Sequence, residues 1–166
     1  MKTAARHARP ITGSSYIATI SPCGLYRYTW SYRWSDGPSC LFILLNPSTA
    51  DQDETDPTVR RCIAYAKRWG FGEVRIGNLF AWRDTDPAEM KRQPDPIGPG
   101  NDAALKRLVR GADLILAAWG AHGSHLGRDA AVRAMLPPMH ALSRNLNGSP
   151  GHPLYLRGDL RPFPLI

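Results

Sequence analysis

The chain has 166 residues, of which 43% are hydrophobic, so it is long enough and apolar enough to fold as one domain with a buried core. Lys and Arg total 21 against 14 Asp and Glu, and the net charge of +7 favours an anionic partner such as nucleic acid or a nucleotide. The cysteines Cys23, Cys40 and Cys62 form no C-x-x-C pair, which argues against a zinc cluster and against a disulfide framework.

No stretch of the sequence approaches the roughly 18 consecutive apolar residues that cross a membrane. The basic segment 1–9 is not followed by the apolar region of a secretory signal. We therefore expect a cytoplasmic protein that does not associate with membranes. No cofactor motif is evident, and nothing in the sequence indicates an obligate protein partner.

The first third of the chain predicts an arm and two strands. Residues 1–15 are basic with little apolar pattern and are expected to form a flexible arm, ahead of a single domain over residues 16–166. An edge strand is predicted over residues 16–25. Aromatic residues alternate with polar ones from Tyr26 to Trp34, with Arg27 on the polar face, which predicts a half-buried strand. A turn signal follows, so the next apolar run is its expected hairpin partner.

That run, Leu41 to Leu45, is unbroken and ends at Asn46 and Pro47. It predicts a strand buried on both faces, as in a parallel sheet, because proline cannot continue the ladder. Open α/β sheets bind ligands beyond the carboxyl ends of their strands, although an ordinary Asx or ST turn explains the same residues. The candidate binding residues here are Asn46, Pro47, Ser48, Thr49 and Asp51.

An acidic run over residues 51–56 comes next. It lacks the glycine and the later glutamate of a calcium-binding loop, so no metal site is predicted. Asp56 and Pro57 are typical of a helix N-cap and first residue, and Gly70 of its end. Basic residues of this helix, including Arg60 and Arg61, are candidates for phosphate contacts or for simple solvation of the helix.

Strands and helices continue to alternate to the end of the chain. Strands are predicted over residues 74–80, 114–119 and 140–142, and helices over residues 98–112 and 128–136. This order predicts a three-layer α/β/α fold with a central, mostly parallel four-stranded sheet, plus an N-terminal antiparallel hairpin.

Polar residues follow three of these strands, at Asn46, at Asn78 and after Trp119, and His152 lies in a late loop. The carboxyl ends of parallel strands meet at one edge of a sheet, so we expect these residues to share a cleft. The sequence has no Walker A motif, no G-x-G-x-x-G after a strand and no G-x-S-x-G elbow, which argues against P-loop, dinucleotide-binding and α/β-hydrolase chemistry.

Two family resemblances follow from short motifs. Over roughly residues 25–156, the segments LNPSTAD, DPTVRR, NLFAWRDTDP, GPGND, AAWGAHG and HPLYL together resemble an uncharacterised bacterial and archaeal family labelled a domain of unknown function. More distantly, four segments resemble motifs of the uracil-DNA glycosylase superfamily in order and spacing. These segments are Leu45-Asn46-Pro47-Ser48, Asn78-Leu79-Phe80 with Arg83, Leu116-Ala117-Ala118-Trp119-Gly120, and His152-Pro153-Leu154, in which leucine replaces the family's serine.

The second resemblance implies hydrolysis of the N-glycosidic bond of a base, modified or not, in nucleic acid, with DNA favoured over RNA. Asn46 matches the position that places the attacking water. Asn78 matches the amide that reads the Watson–Crick edge of a pyrimidine. His152 matches the donor to the carbonyl oxygen of the departing base. Further substrate-binding candidates are Pro47, Ser48, Asp51, Phe80 and Trp119, with Tyr65, Trp69 and Trp82 as alternatives to Phe80 for stacking on the base.

The nucleic-acid-binding candidates are Leu154, as a wedge, and a rim of Arg60, Arg61, Arg83, Arg128 and Arg157. Two alternatives remain open, because the last motif lacks its serine and the acidic run would repel a phosphate backbone. One is an N-glycosidase of free nucleosides or nucleotides, which an acidic cleft mouth would favour. The other is a non-catalytic nucleic-acid-binding module, which a lost water-positioning geometry at Asn46 would favour.

Overall fold

The computed structural model describes residues 5–11, 14–49 and 56–166, with side chains from Tyr16 onward. The strands are β1 (Ala5–Ile11), β2 (Ser14–Ile20), β3 (Arg27–Arg33), β4 (Ser39–Leu44), β5 (Glu73–Asn78), β6 (Leu114–Ala117), β7 (His140–Ala141) and β8 (Phe163–Pro164). The helices are α1 (Pro57–Arg68), α2 (Pro87–Lys91), α3 (Asn101–Val109) and α4 (Arg128–Met135), with 3₁₀ turns at Gly120–His122, His125–Gly127 and Pro153–Tyr155. The mixed α/β class is as predicted.

The strands join one mixed sheet in the order β1-β2-β3-β5-β4-β6-β7-β8. β4 is parallel to β5 and β6, and β6 is parallel to β7. The remaining pairs, β1–β2, β2–β3, β3–β5 and β7–β8, are antiparallel. The predicted hairpin of β3 with β4 is wrong, because parallel neighbours occupy both edges of β4 and β3 pairs with β5 instead.

The N-terminal region also differs from its prediction. Part of the predicted flexible arm, Ala5–Ile11, is strand β1, which pairs with β2 along its whole length. β2 therefore has a neighbour on each side and is not the edge strand that was expected over residues 16–25. Main-chain hydrogen bonds hold an added strand of this kind, so its side chains need no apolar pattern that a sequence could reveal.

Two core clusters lie on opposite faces of β4. Alternate residues Cys40, Phe42 and Leu44 pack with α1 and with aromatic residues of β3. The intervening residues, Leu41 and Ile43, pack with α3 and α4. All six residues of β4 are buried, as the unbroken apolar run predicts.

Helices α1, α3 and α4 lie close to where the sequence predicts them, whereas α2 was not predicted. α1 begins at Pro57, and the Asp56 carboxylate caps it by accepting from the backbone N–H groups of Thr58 and Val59 at 2.8 and 3.2 Å. Gly70 follows its end with a φ of +86°, a conformation that glycine adopts without strain. None of the helices in the described ranges is long and apolar enough to cross a membrane.

Candidate functional site

A cleft of about 770 Å³ lies at the carboxyl ends of β4, β5 and β6. The register pairs Leu44 with Asn78, so β4 and β5 end at the same level. The start of α1, the loop after β5 and the Pro153–Tyr155 turn complete the walls. The cleft brings together these residues singled out from the sequence: Asn46, Pro47, Ser48, Asn78, Trp119, His152 and Leu154.

Asn46 follows β4, and hydrogen bonds donated by its side-chain amide nitrogen hold the side chain in place. Nδ2 donates to the carbonyl oxygens of Asp84 at 2.8 Å, Pro47 at 3.2 Å and Trp82 at 3.4 Å. These contacts fix the amide plane and tie the end of β4 to the loop after β5. Within the described residues, the carbonyl oxygen Oδ1 has no donor, so it is available to accept a hydrogen bond from water in the cleft.

Asn78 is the last residue of β5 and is only 3% exposed. Its side-chain Oδ1 is buried and has no hydrogen-bond partner in the described part of the chain. An unpaired buried acceptor of this kind costs roughly 1–3 kcal/mol. A ligand that donates to Oδ1 would remove that cost, so Asn78 is the most specific polar contact that the cleft offers.

His152 precedes the Pro153–Tyr155 turn and caps it. Its Nδ1 accepts from the backbone N–H of Leu154 at 3.2 Å, which places the proton of the neutral ring on Nε2. Burial lowers the pKa of His152 below 6.5, although Asp56 acts to raise it. At neutral pH the residue therefore presents an uncharged Nε2–H donor.

Gly120 lies directly beside this histidine. Its φ is +77°, and a Cβ at this position would come 3.4 Å from the Cβ of His152. The backbone N–H of Gly120 donates to Pro150 O at 3.0 Å, and that of Gly151 donates to Ser143 O at 3.0 Å. These contacts hold the loop that carries His152 against the end of β6.

Arg27 is a cleft residue that the sequence analysis did not single out. It begins β3 and is only 5% exposed, and its guanidinium makes no hydrogen bond or ion pair with any other described residue. Burial, aided by Arg83 and opposed by Asp56, lowers the pKa of Arg27 to about 10. The sequence did not indicate Arg27 because it does not reveal which strand pairs with β3. The first residue of β3 reaches the cleft because β3 runs antiparallel to β5, whose carboxyl end forms part of the cleft.

Ser48 and Asp56 join the end of β4 to α1. Ser48 Oγ donates to Asp56 Oδ2 at 2.8 Å, while Oδ1 caps the helix. Both oxygens of this carboxylate are thus used locally, although Asp56 lines the cleft. Asp51, another predicted binding residue, lies outside the described residues, as does most of the acidic run.

The aromatic candidates divide between the cleft and the core. Phe80 is fully buried against the ring of His125, with centroids 5.6 Å apart, and does not line the cleft. No contact with the cleft supports its predicted role in stacking on a base, which stays a prediction. Tyr65, Trp69 and Trp82 also lie outside the lining, whereas Trp119 belongs to it.

Among the predicted arginines, Arg128 has a structural role. It is 4% exposed, its Nε donates to Leu79 O at 2.8 Å, and its Nη2 lies 2.7 Å from Asp102 Oδ1. The guanidinium is thus engaged within the protein, and its contact with a nucleic acid stays a prediction. Arg83 donates to Gly24 O at 3.1 Å, which ties it to the loop before β3.

Arg60 and Arg157 are exposed, and Arg157 pairs with Asp159 at 2.6 Å. The other rim candidate, Arg61, belongs to a row of α1 side chains that hold the segment after His152. The row donates to backbone carbonyls of residues 156–160: Arg61 to Leu156, Tyr65 to Arg157, Arg68 to Gly158 and Trp69 to Leu160.

This segment is preceded by an exposed pair at the rim of the cleft. Leu154 is 36% exposed and Tyr155 is 83% exposed, and both line the cleft. Tyr155 was not named as a site residue by itself, although it lies within residues 154–156, near which the sequence predicts a wedge. As to metals, no three His, Cys, Asp or Glu side chains of the described ranges form a group that could hold an ion.

No curated protein matches the chain. A family model described as "Protein of unknown function (DUF1643)" matches residues 27–154. The matched range begins at Arg27 and includes Asn46, Asn78 and His152, so it covers the polar residues that define the cleft. The uncharacterised family predicted from the sequence motifs is thereby confirmed, and the chain belongs to this family of proteins of unknown function, DUF1643.

Proposed function

We propose that the protein hydrolyses the N-glycosidic bond between a base, modified or not, and its sugar in nucleic acid, as its resemblance to the uracil-DNA glycosylase superfamily implies. The observation that carries the proposal is the set of three polar groups in one cleft. Among the described residues, the Oδ1 atoms of Asn46 and Asn78 accept no hydrogen bond, and His152 offers an uncharged N–H donor.

The three groups match the charges that develop when the bond breaks. Positive charge grows on the sugar and negative charge on the base. The Nε2–H of His152 can donate to a carbonyl oxygen of the departing base and so stabilise that anion. Asn46 Oδ1 can orient water, but an amide is a poor general base, so we expect slow turnover or a preference for weakly bonded bases.

A base in a polynucleotide must leave its stack to reach such a cleft. Leu154 and Tyr155 at the rim support this route, because an exposed apolar side chain there could fill the space that the base vacates. The net charge of +7 favours approach to a polyanion. We therefore propose DNA as the substrate in preference to RNA or free nucleotides, as the resemblance to the uracil-DNA glycosylase superfamily implies.

We also infer a three-layer α/β/α arrangement around a central parallel sheet of β5, β4, β6 and β7. The parallel pairing of these strands supports it. So do the two core clusters, one containing α1 residues and the other containing α3 and α4 residues. This arrangement is the one expected for the glycosylase superfamily.

A second candidate is an N-glycosidase of free nucleosides or nucleotides. Asp56 and Asp84 line the cleft, and the acidic run precedes Asp56 in sequence. These carboxylates would repel a chain of phosphates more strongly than a single nucleotide. The third candidate, a binding module without catalysis, is less well supported because Asn46 keeps an acceptor free within the cleft.

The test is a screen for released base. Single-stranded and double-stranded oligonucleotides with uracil, deaminated, oxidised or alkylated bases are incubated with the protein, alongside free nucleosides and nucleotides. We expect release from at least one oligonucleotide by the wild type, loss of release in Asn46→Ala, and normal release in Asn147→Ala, an exposed asparagine outside the cleft. Release from free nucleotides alone would favour the second candidate, and binding without any release the third.

A further inference from the structure

Arg27 presents a buried positive charge to the cleft, and no residue that the structure describes pairs with its guanidinium. The residue is 5% exposed, and its guanidinium has no hydrogen bond or ion pair among the residues that the structure describes. Burying an unpaired charge is costly, so proteins rarely keep one without a ligand. The two nearby charges do not remove the cost, since Arg83 is also positive and Asp56 already binds Ser48 and two backbone N–H groups.

Arg27 lines the same cleft as Asn78, the residue proposed to read the base. Its backbone N–H donates to Ala81 O at 3.0 Å, just beyond the end of β5 where Asn78 lies. Both side chains line the same cleft, whose volume of about 770 Å³ is within the range of small-molecule sites. A ligand that occupies the cleft can therefore meet an amide and a guanidinium together.

We infer that Arg27 binds a phosphate group of the ligand, so that the cleft takes a phosphate-bearing nucleotide unit rather than a free base or nucleoside. A guanidinium matches the geometry of phosphate oxygens with two parallel hydrogen bonds. The low exposure of Arg27 strengthens this attraction relative to a surface arginine. The inference deepens the proposed function, on which it rests for the identification of the ligand as a nucleotide.

Phosphate could reach Arg27 from two sources. A free nucleoside monophosphate would bring a terminal phosphate, and a polynucleotide would bring a diester of its backbone. Both sources share the same anion, so the test uses three probes: inorganic phosphate, a mixture of nucleoside 5′-monophosphates, and a short mixed-sequence single-stranded oligonucleotide. Unphosphorylated nucleosides serve as the probe without the anion.

Binding is measured by calorimetry at constant ionic strength for the wild type, Arg27→Met, Arg27→Lys and Arg133→Met. Arg133 is an exposed arginine of α4 outside the cleft, so its variant makes the same change of charge elsewhere. We expect Arg27→Met to weaken binding of at least one phosphate probe by roughly 10- to 100-fold, as for other hydrogen bonds to charged groups. Arg133→Met should stay within about twofold of the wild type.

Arg27→Lys keeps the charge but loses the two parallel hydrogen bonds, so we expect its affinity for the phosphate probes to fall several-fold as well. This variant carries the test if Arg27→Met does not fold. The inference is overturned if the wild type binds none of the phosphate probes, or if the Arg27 variant binds them as tightly as the wild type. A monophosphate preference identifies a free nucleotide as the source, and an oligonucleotide preference identifies the backbone.

None of these measurements needs turnover, so the two proposals fail separately. Phosphate binding that depends on Arg27, without base release from any substrate, would reject the glycosylase and keep the phosphate site. Base release with equal rates and affinities in the wild type and Arg27→Met would reject the phosphate site and keep the glycosylase.

Discussion

Replacing Arg27 by methionine should stabilise the ligand-free protein. Burial lowers the pKa of Arg27 from its ordinary value to about 10. That difference corresponds to roughly 3 kcal/mol by which the folded protein disfavours the charged form. Methionine has a similar length and no charge, so it removes this cost while it keeps apolar contacts. The pKa shift already includes the attraction of Asp56 for the guanidinium, so roughly 3 kcal/mol is the full gain that the substitution can give.

How this cost changes with pH depends on whether the folded or the unfolded chain binds the proton of Arg27 more weakly. The pKa of Arg27 is lower in the folded state, so the unfolded chain binds its proton more tightly. The destabilisation is therefore complete below about pH 10 and fades as the pH rises towards the ordinary pKa of an arginine. At neutral pH the full cost is present, and the full gain from the methionine variant should appear.

Urea unfolding followed by circular dichroism at pH 7, in a buffer without phosphate, measures this gain. We expect Arg27→Met to raise the free energy of unfolding by about 1–3 kcal/mol, and Arg133→Met to change it by less than about 0.5 kcal/mol. A loss of more than about 1 kcal/mol in Arg27→Met would show that the guanidinium is held by a structural partner. That result would refute the assignment of a free cation to the cleft.

Four further predictions concern the cleft and its rim. Because burial lowers the pKa of His152 below 6.5, the free energy of unfolding should fall as the pH drops below 6.5, and pH titrations of stability should show a smaller fall in His152→Gln. Asn78→Asp replaces an amide donor by an acceptor, so the screen should show a changed base preference; an unchanged preference would remove Asn78 from base recognition. Gly120→Ala and Gly24→Ala both force alanine to a φ of +77°, and each should cost about 1 kcal/mol in urea unfolding. Only Gly120→Ala should also slow base release, because the new Cβ meets His152, whereas nothing lies within 4 Å at Gly24. Tyr155→Ser should leave stability within about 0.5 kcal/mol, since the side chain is 83% exposed, but it should weaken turnover of oligonucleotides and spare that of free nucleotides.

Local signals in the sequence predicted the elements around the cleft well. The unbroken run from Leu41 identified β4, and the pair Asp56-Pro57 identified the start of α1. The same signal recurs at Asp86-Pro87, where the structure has α2 and no helix was predicted. That helix was therefore predictable from the rule already applied at Asp56.

Strand partners were harder to predict, because side-chain periodicity reports burial and not which strand lies alongside. β3 has the alternation of a half-buried strand whether it pairs with β4 or with β5. β7 and β8 contribute two residues each, too few for any period to appear.

The site residues Asn46 and Asn78 were predicted from the rule that α/β sheets bind ligands at the carboxyl ends of their parallel strands. Arg27 was missed because its role depends on the pairing of β3 with β5. The burial of Arg128 was not predicted because a charged residue suggests a surface position, whereas its guanidinium binds Leu79 O and Asp102.

The proposed chemistry is tested most directly by single-turnover release of free base from the best oligonucleotide of the screen. The wild type is compared with His152→Ala and Asn46→Ala at equal protein excess. We predict release by the wild type and a rate at least roughly 100-fold lower in His152→Ala, by analogy with loss of one donor to a developing anion. Asn46→Ala should be slowed as well while it still binds the oligonucleotide. Unchanged single-turnover rates in both variants would contradict the proposed roles of these residues.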